Sequence, residues 1–499
     1  MAVRINPNSG ETREAVRITY PRKALAVWMV WVTAALLLAI VAPVVVRGGL
    51  LADEYIICER PIHEGGYTAY LQEIWRDTGV VRPARFIELF LISESCTTIH
   101  YGFVILVPLV LKLAAAVLLA KVLRRMDLPT PWPEIGAVLW LLEPVGTEAA
   151  LWPAALHVPL GLVLGLAAIR TFQDGRFVLA GLASLGAALS VEQVIFALPL
   201  AVWLTCPRDH RRRAAVVAGV MMMIVLAAYA TWPGQNERQA LTLGERWQQL
   251  MAKRAWYVFF PAAGLGLYSG AIGFQWAFPY STAVVAVFVL AGWWMAPRLL
   301  EGHTVPPLRA ANTIESGAAA GLLLVLINLP LIVTEVGYSA RTFTPTWLAL
   351  SGAIPWMAAR VRWRRLRIVG VIAGTFAGFA ILSLTFSVFV RLRTDTFNRA
   401  AAQWIADRTQ NGSVVAVCDV ARTVVDPAPL GAFHLHELHS IWPHWIEYHT
   451  GRVVEIRRSS ERYWGSRCPD LTGADLVIQF PELTAALATH GRRPAVRRP

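Results

Sequence analysis

Residues 24–54, ALAVWMVWVTAALLLAIVAPVVVRGGLLADE, decide how this chain is read. From Ala24 to Val46 there is no charged side chain, and a helix over that run is long enough to cross a hydrocarbon core of roughly 30 Å. Asp53 and Glu54 follow within a few residues of the point where the chain leaves the bilayer. Carboxylates are costly at that depth, so such a pair reads first as part of a functional site. Working outward, the polar segment from Leu50 to Ser95 is the loop around which the apolar remainder is organised.

That remainder is strongly apolar. Of 499 residues, 56% are hydrophobic and 16% charged, and the mean hydropathy is +0.48. This excludes an ordinary soluble protein and predicts an all-α polytopic membrane protein. The net charge of +13 does not point to nucleic acid, because the arginines stand in short loops between apolar runs, as the positive-inside bias requires. No small-residue cleavage site follows the first run, which is therefore expected to stay as an anchor.

Arg4, Arg13, Arg17, Arg22 and Lys23 place the N-terminus in the cytoplasm. Spans are then expected at 24–46, 101–123, 131–147, 154–169, 177–189, 194–204, 214–232, 280–296, 314–336, 347–359 and 368–390, about eleven crossings by length and hydropathy. The runs 177–189 and 194–204 are short. Either they tilt and meet in a notch at headgroup level, or 177–204 is one long helix. Residues 233–278 read as an interfacial helix followed by a re-entrant or packed segment outside the membrane. The basic cluster Arg360, Arg362, Arg364, Arg365 and Arg367 marks a cytoplasmic end. An odd number of crossings leaves the C-terminus outside.

Two domains follow: a membrane domain over 1–390 with its first outer loop at 47–100, and a small extracytoplasmic α/β domain over 391–499. In the latter, a helix is predicted at 396–408, a turn at Asn411 and Gly412, and strands at 413–417 and 474–480; a basic tail closes the chain. Cysteine placement agrees with this topology, since disulfides form in the oxidising exterior. Cys58 and Cys96 fall in the first outer loop, Cys418 and Cys468 in the C-terminal domain, and Cys206 at a cytoplasmic helix end. The natural pairs are Cys58 with Cys96 and Cys418 with Cys468, although four cysteines allow three connectivities, and buried free thiols are the alternative.

The acidic pair Asp53 and Glu54, an interfacial helix over 64–76 and an Arg-Pro turn at Arg82 and Pro83 together resemble the membrane glycosyltransferases of the GT-C fold. So do Ser190 and Glu192 followed by Pro199, and Tyr338 and Arg341 ahead of a descending span. The resemblance covers the architecture of nearly the whole chain. It implies transfer of a monosaccharide from a polyprenyl-phosphate donor to a glycan, lipid or protein acceptor outside the membrane. Asp53 then matches the loop acid that deprotonates the acceptor, with Glu54 binding the acceptor or substituting as base. Many members show two aspartates where this chain has Asp-Glu.

The chemistry of such a transfer asks for the same groups. A carboxylate must take the acceptor's proton, and cationic donors must stabilise the departing phosphate. Arg82, Arg85, Lys253, Arg254 and Arg341 stand outside against the orientation rule and are the candidates for that phosphate, arginine by its bidentate fork and lysine as a point charge. Arg85 and Glu88 could instead pair at helical spacing, and Lys253 and Arg254 could reach into headgroups. His157 and Glu192, near the outer ends of apolar helices, line the cavity or serve in packing. The HLHELH run at 434–439 lacks the spacing of a zinc-binding helix, and no metal or other cofactor is expected, although a divalent ion is compatible with the chemistry. Without a Walker or GxGxxG motif, a nucleotide-sugar donor is not implied. The readings that compete are a flippase or transporter of lipid-linked saccharides and an oligosaccharide polymerase or ligase.

Overall fold

A computed structural model describes residues 11–47, 57–58, 68–69, 72, 83–96, 100–143, 151, 153–231, 244, 275, 277–301, 310–333, 340–360, 365–418, 442–457 and 471–479. Within these, the chain is mostly helical. The helices are α1 (Glu11–Arg47), α2 (Pro83–Ser95), α3 (Tyr101–Arg125), α4 (Trp132–Leu141), α5 (His157–Gln173), α6 (Phe177–Ser190), α7 (Gln193–Thr205), α8 (Arg208–Thr231), α9 (Tyr280–Leu300), α10 (Ala310–Val333), α11 (Ala340–Ala358), α12 (Leu366–Ala406) and α13 (Trp442–Thr450). A short 3₁₀ turn at Pro153–Ala155 leads into α5. Among the described residues, four segments are long and apolar enough to cross a membrane: Ala24–Arg47 of α1, Tyr101–Arg125, Tyr280–Leu300, and Leu366–Phe389 of α12. Phe177–Ser190, Gln193–Thr205 and Gly317–Leu329 are apolar but shorter.

Polar side chains set the levels at which helices end. The Gln173 side-chain amide donates to the carbonyls of Val122 at 3.3 Å and Thr205 at 3.1 Å, so α3, α5 and α7 finish side by side. Arg124 pairs with Glu134 at 2.7 Å and Arg125 with Asp174 at 3.0 Å at the same end of the bundle. Because α6 starts and α7 stops at this level, the two run in opposite directions. The single long helix over 177–204 is thereby excluded. Extended backbone at Val191 (φ −137°, ψ 108°) makes the break.

A close helix contact joins α9 to α12. Gly370, Gly374 and Gly378 recur every fourth residue on α12, which lets two backbones approach. A Cβ built on Gly370 would lie 2.1 Å from the Gly292 carbonyl oxygen, and one on Gly374 would lie 2.2 Å from that of Phe288. With no proline and no glycine after Gly378, α12 does not stop at the end of the apolar run. The last expected span and the helix expected at 396–408 are one helix of 41 residues, so the expected domain boundary at 390/391 falls inside it.

Beyond α12 the chain forms a three-stranded parallel sheet in the order β2-β1-β3, from β1 (Val414–Cys418), β2 (Glu455–Arg457) and β3 (Leu476–Gln479). Val415 pairs with Ile456 on one side and Leu476 on the other. β1, central and β-branched, is almost wholly buried, as a two-sided strand should be. The short β2 carries no apolar run that would announce it. Val415, Val417, Ile446, Val454 and Ile478 share one core with Ala401, Ala402 and Ile405 of α12, and that core continues down to Leu37, Val41 and Val44 of α1.

Candidate functional site

Several residues singled out above lie outside the described residues: Asp53, Glu54, Arg82, Lys253, Arg254, the histidines at 434–439, Cys468 and most of the helix expected at 64–76. Arg85 falls on α2 and Arg341 on α11. Glu192, half-buried, directly precedes α7 at the α6–α7 break. His157 is the first residue of α5 and is buried. What surrounds His157 is a polar layer at the Tyr101 end of the bundle.

Glu88 on α2 is completely buried, and its Oε2 lies 2.8 Å from His157 Nδ1 and accepts from the His157 backbone N–H at 3.3 Å. The side chain open to pairing with Arg85 is therefore held by a histidine 69 residues away. Three features compensate the carboxylate: the ring N–H, the backbone N–H, and the positive end of the α5 dipole. A carboxylate only accepts, so with Glu88 ionised the ring proton sits on Nδ1, and in the neutral imidazole Nε2 is the basic nitrogen. The second oxygen, Oε1, is buried and has no partner among the described residues.

Six residues before His157, the chain is held again. Fully buried Arg391 on α12 donates to the Leu151 carbonyl oxygen and, at 3.1 Å, to the Tyr101 hydroxyl. The 3₁₀ turn and its flanks are thus clamped between a buried arginine and a buried glutamate. Beside them, Cys58 is disulfide-bonded to Cys96 and packs in the same core as Leu151 and Tyr101.

Along α12 one stripe at helical spacing changes character twice. Leu384 and Val388 are apolar, Arg391, Asp395 and Asn398 polar, Ala402 and Ile405 apolar again, and all seven are buried. Asp395 pairs with Arg399 at 3.0 Å. Burial raises the Asp395 carboxyl above the usual range despite the pull of Arg399 and Arg391. Among the described residues, neither amide atom of Asn398 has a partner. On α13, burial pushes the His449 imidazole down to about 4, and positive Arg399 adds to the effect. Cys418 is disulfide-bonded as well.

Two buried acids, a buried arginine and a histidine with a fixed tautomer can orient hydroxyls and phosphate oxygens and exchange protons. Sequence spacing alone makes Glu88 a helix-surface partner of Arg85, and the apolar runs alone make Arg391 the first residue of a separate domain. The signal available for Arg391 was its place on the stripe continuing from Leu384. Among the described residues, no group of three or more His, Cys, Asp or Glu is placed to hold a metal ion. No protein-family model, curated protein or solved structure matches this chain.

Proposed function

We propose that the protein is an integral-membrane glycosyltransferase of GT-C type with about eleven crossings. In this reading it moves a monosaccharide from a polyprenyl-phosphate donor to an extracytoplasmic glycan, lipid or protein acceptor. One observation carries the reading: buried Glu88–His157 and Arg391 form a polar layer at the same end of an apolar bundle as the Cys58–Cys96 disulfide. A disulfide belongs to the oxidising side of a membrane, so the layer faces the exterior and adjoins the loop that carries Asp53 and Glu54. There the acceptor oxygen attacks the anomeric carbon, the bond from that carbon to the phosphate oxygen breaks, and the proton passes to Asp53, inverting the centre. Glu54 binds the acceptor or replaces the base. Arg82, Arg85, Lys253, Arg254 and Arg341 are assigned to the phosphate, and His157 and Glu192 line the cavity. Asp53→Ala and Asp53→Asn should each lower transfer about 10²- to 10⁴-fold, the range for a general base, with the fold intact. Full activity in both would move the base, first to Glu54.

A different observation favours a second reading, a flippase of lipid-linked saccharides. α4 ends after ten residues, beside a buried ion pair midway along α3, and helices broken at mid-membrane are common in transporters. Reconstitution with a labelled polyprenyl-phosphate sugar separates the two: movement of label across the bilayer without transfer to an acceptor supports transport alone.

A further inference from the structure

Away from the polar layer, Lys112 of α3 and Glu143, just past the end of α4, form an ion pair of 3.0 Å with side chains 6% and 1% exposed. Lys112 lies midway along a helix of membrane-spanning length, roughly 17 Å from its Tyr101 end at the α-helical rise. Charge at that depth marks an ion or proton path more often than a packing contact, and a buried ion pair is a poor source of stability.

The surroundings say which path. Glu143 Oε2 faces Lys112, but among the described residues Oε1 has no hydrogen-bond partner, and the Thr344 side chain approaches the same carboxyl from α11. A small cavity opens on the pair between Leu37 and Val41 of α1, Leu109 of α3, and Ala380 and Leu384 of α12. Among the described residues that line it, Lys112 is the one charged group beside Glu143; what α1 and α12 contribute is apolar. The ammonium has support of its own. It stands 5.4 Å from the Trp140 ring centroid, a cation–π arrangement, and beside the negative end of the α4 dipole. A metal cation would be repelled by that ammonium, and the small cavity admits no bulky anion. A proton carried by water fits: it needs one free carboxylate oxygen and one hydroxyl acceptor.

We propose that Glu143 is a proton-binding site inside the membrane domain. A proton from water adds to Oε1, the new O–H donates to Thr344 Oγ1, and Lys112 keeps its charge against Trp140 and the end of α4. In the neutral state the acid no longer holds α3 to α4, so proton occupancy is coupled to the contact between these helices. The inference is independent of whether the protein transfers or transports saccharide.

Infrared difference spectroscopy of the full-length protein in lipid nanodiscs, stepped between about pH 9 and pH 4, tests it without donor or acceptor present. A protonated-carboxyl band is expected to grow on acidification in the parent protein and to be missing from Glu143→Gln. Thr344→Val, which leaves the ion pair in place, should shift the band's frequency, and Lys112→Met should move its midpoint to higher pH. A band unchanged in Glu143→Gln, or no band in the parent protein, overturns the proposal. Should Glu143→Gln fail to fold, an unshifted band in Thr344→Val overturns it equally.

Discussion

Glu88 on α2 and His157 at the start of α5, 69 positions apart, meet at 2.8 Å with the glutamate fully buried. The contact closes the Tyr101 end of the bundle, because it ties the helix near the end of the first outer loop to the turn between α4 and α5. Removing one partner strands the other in a low-dielectric setting, whereas removing both does not. Glu88→Ala should therefore lower stability by about 1–3 kcal/mol, the cost of a buried donor left without its acceptor. Glu88→Leu with His157→Leu should recover much of that loss. Thermal unfolding of the single and double variants in detergent measures the coupling, and additive losses would mean that the pair is not an interacting unit.

The Cys58–Cys96 bridge closes a loop with a sequence separation of 38. By the chain-entropy relation, its removal should cost about 4 kcal/mol, read as a fall in melting temperature when Cys58 and Cys96 are both changed to Ser. Cys206 should behave differently. Its thiol is buried and free, and burial pushes it up to about 11. Since the thiolate is the reactive form, a maleimide should leave Cys206 unlabelled at neutral pH until the protein is unfolded.

The α9–α12 seam predicts a sharp contrast between two glycines. Gly370→Ala places a methyl 2.1 Å from the Gly292 carbonyl oxygen, whereas a Cβ on Gly219 meets nothing within 4 Å among the described residues. Overpacking of this kind costs about 1–3 kcal/mol, so Gly370→Ala should lower the melting temperature and Gly219→Ala should not. Equal effects of the two would mean that the helices have room to separate.

Acid should weaken the C-terminal domain through His449. The imidazole is held down to about 4 in the fold against about 6.5 when unfolded, so over that interval the unfolded chain binds the extra proton. The contribution is complete above about pH 6.5 and is lost as pH falls toward 4. Asp395, with its carboxyl raised, acts in the opposite direction at the lower end of the range. The difference between the parent protein and His449→Gln, rather than either curve alone, isolates the imidazole. Parallel stability curves for the two across that range would contradict the assignment.

Hydropathy alone marks the long apolar helices, since an uninterrupted apolar run such as Ala24–Val46 can be satisfied only by burial or lipid. Cysteine position picks out Cys58 and Cys96 as partners because compartment restricts which thiols oxidise. β1 announces itself through consecutive β-branched residues bounded by Gly412. The four-residue repeat Gly370, Gly374, Gly378 lies in the sequence, but its partner helix is set only by the close backbone approach to Gly292 and Phe288 in the fold.

The partners of the buried charges are another matter. Lys112 inside an apolar helix says that it must be paired, yet nothing local names Glu143, and Glu88 is as well spaced for Arg85 as it proves to be placed for His157. Pairing across a bundle depends on which helix ends share a level, a property of the packed assembly to which side chains such as Gln173 contribute. The same holds for α12. Its composition permits a helix through Arg391, but whether the chain bends there depends on what the polar stripe can bond to, and the carbonyl of Leu151 and the hydroxyl of Tyr101 reach it only in the folded protein. The sequence by itself determined which segments are apolar helices and which thiols can meet; the tertiary structure alone decided which charges neutralise one another, because that choice is made by distance in space and not along the chain.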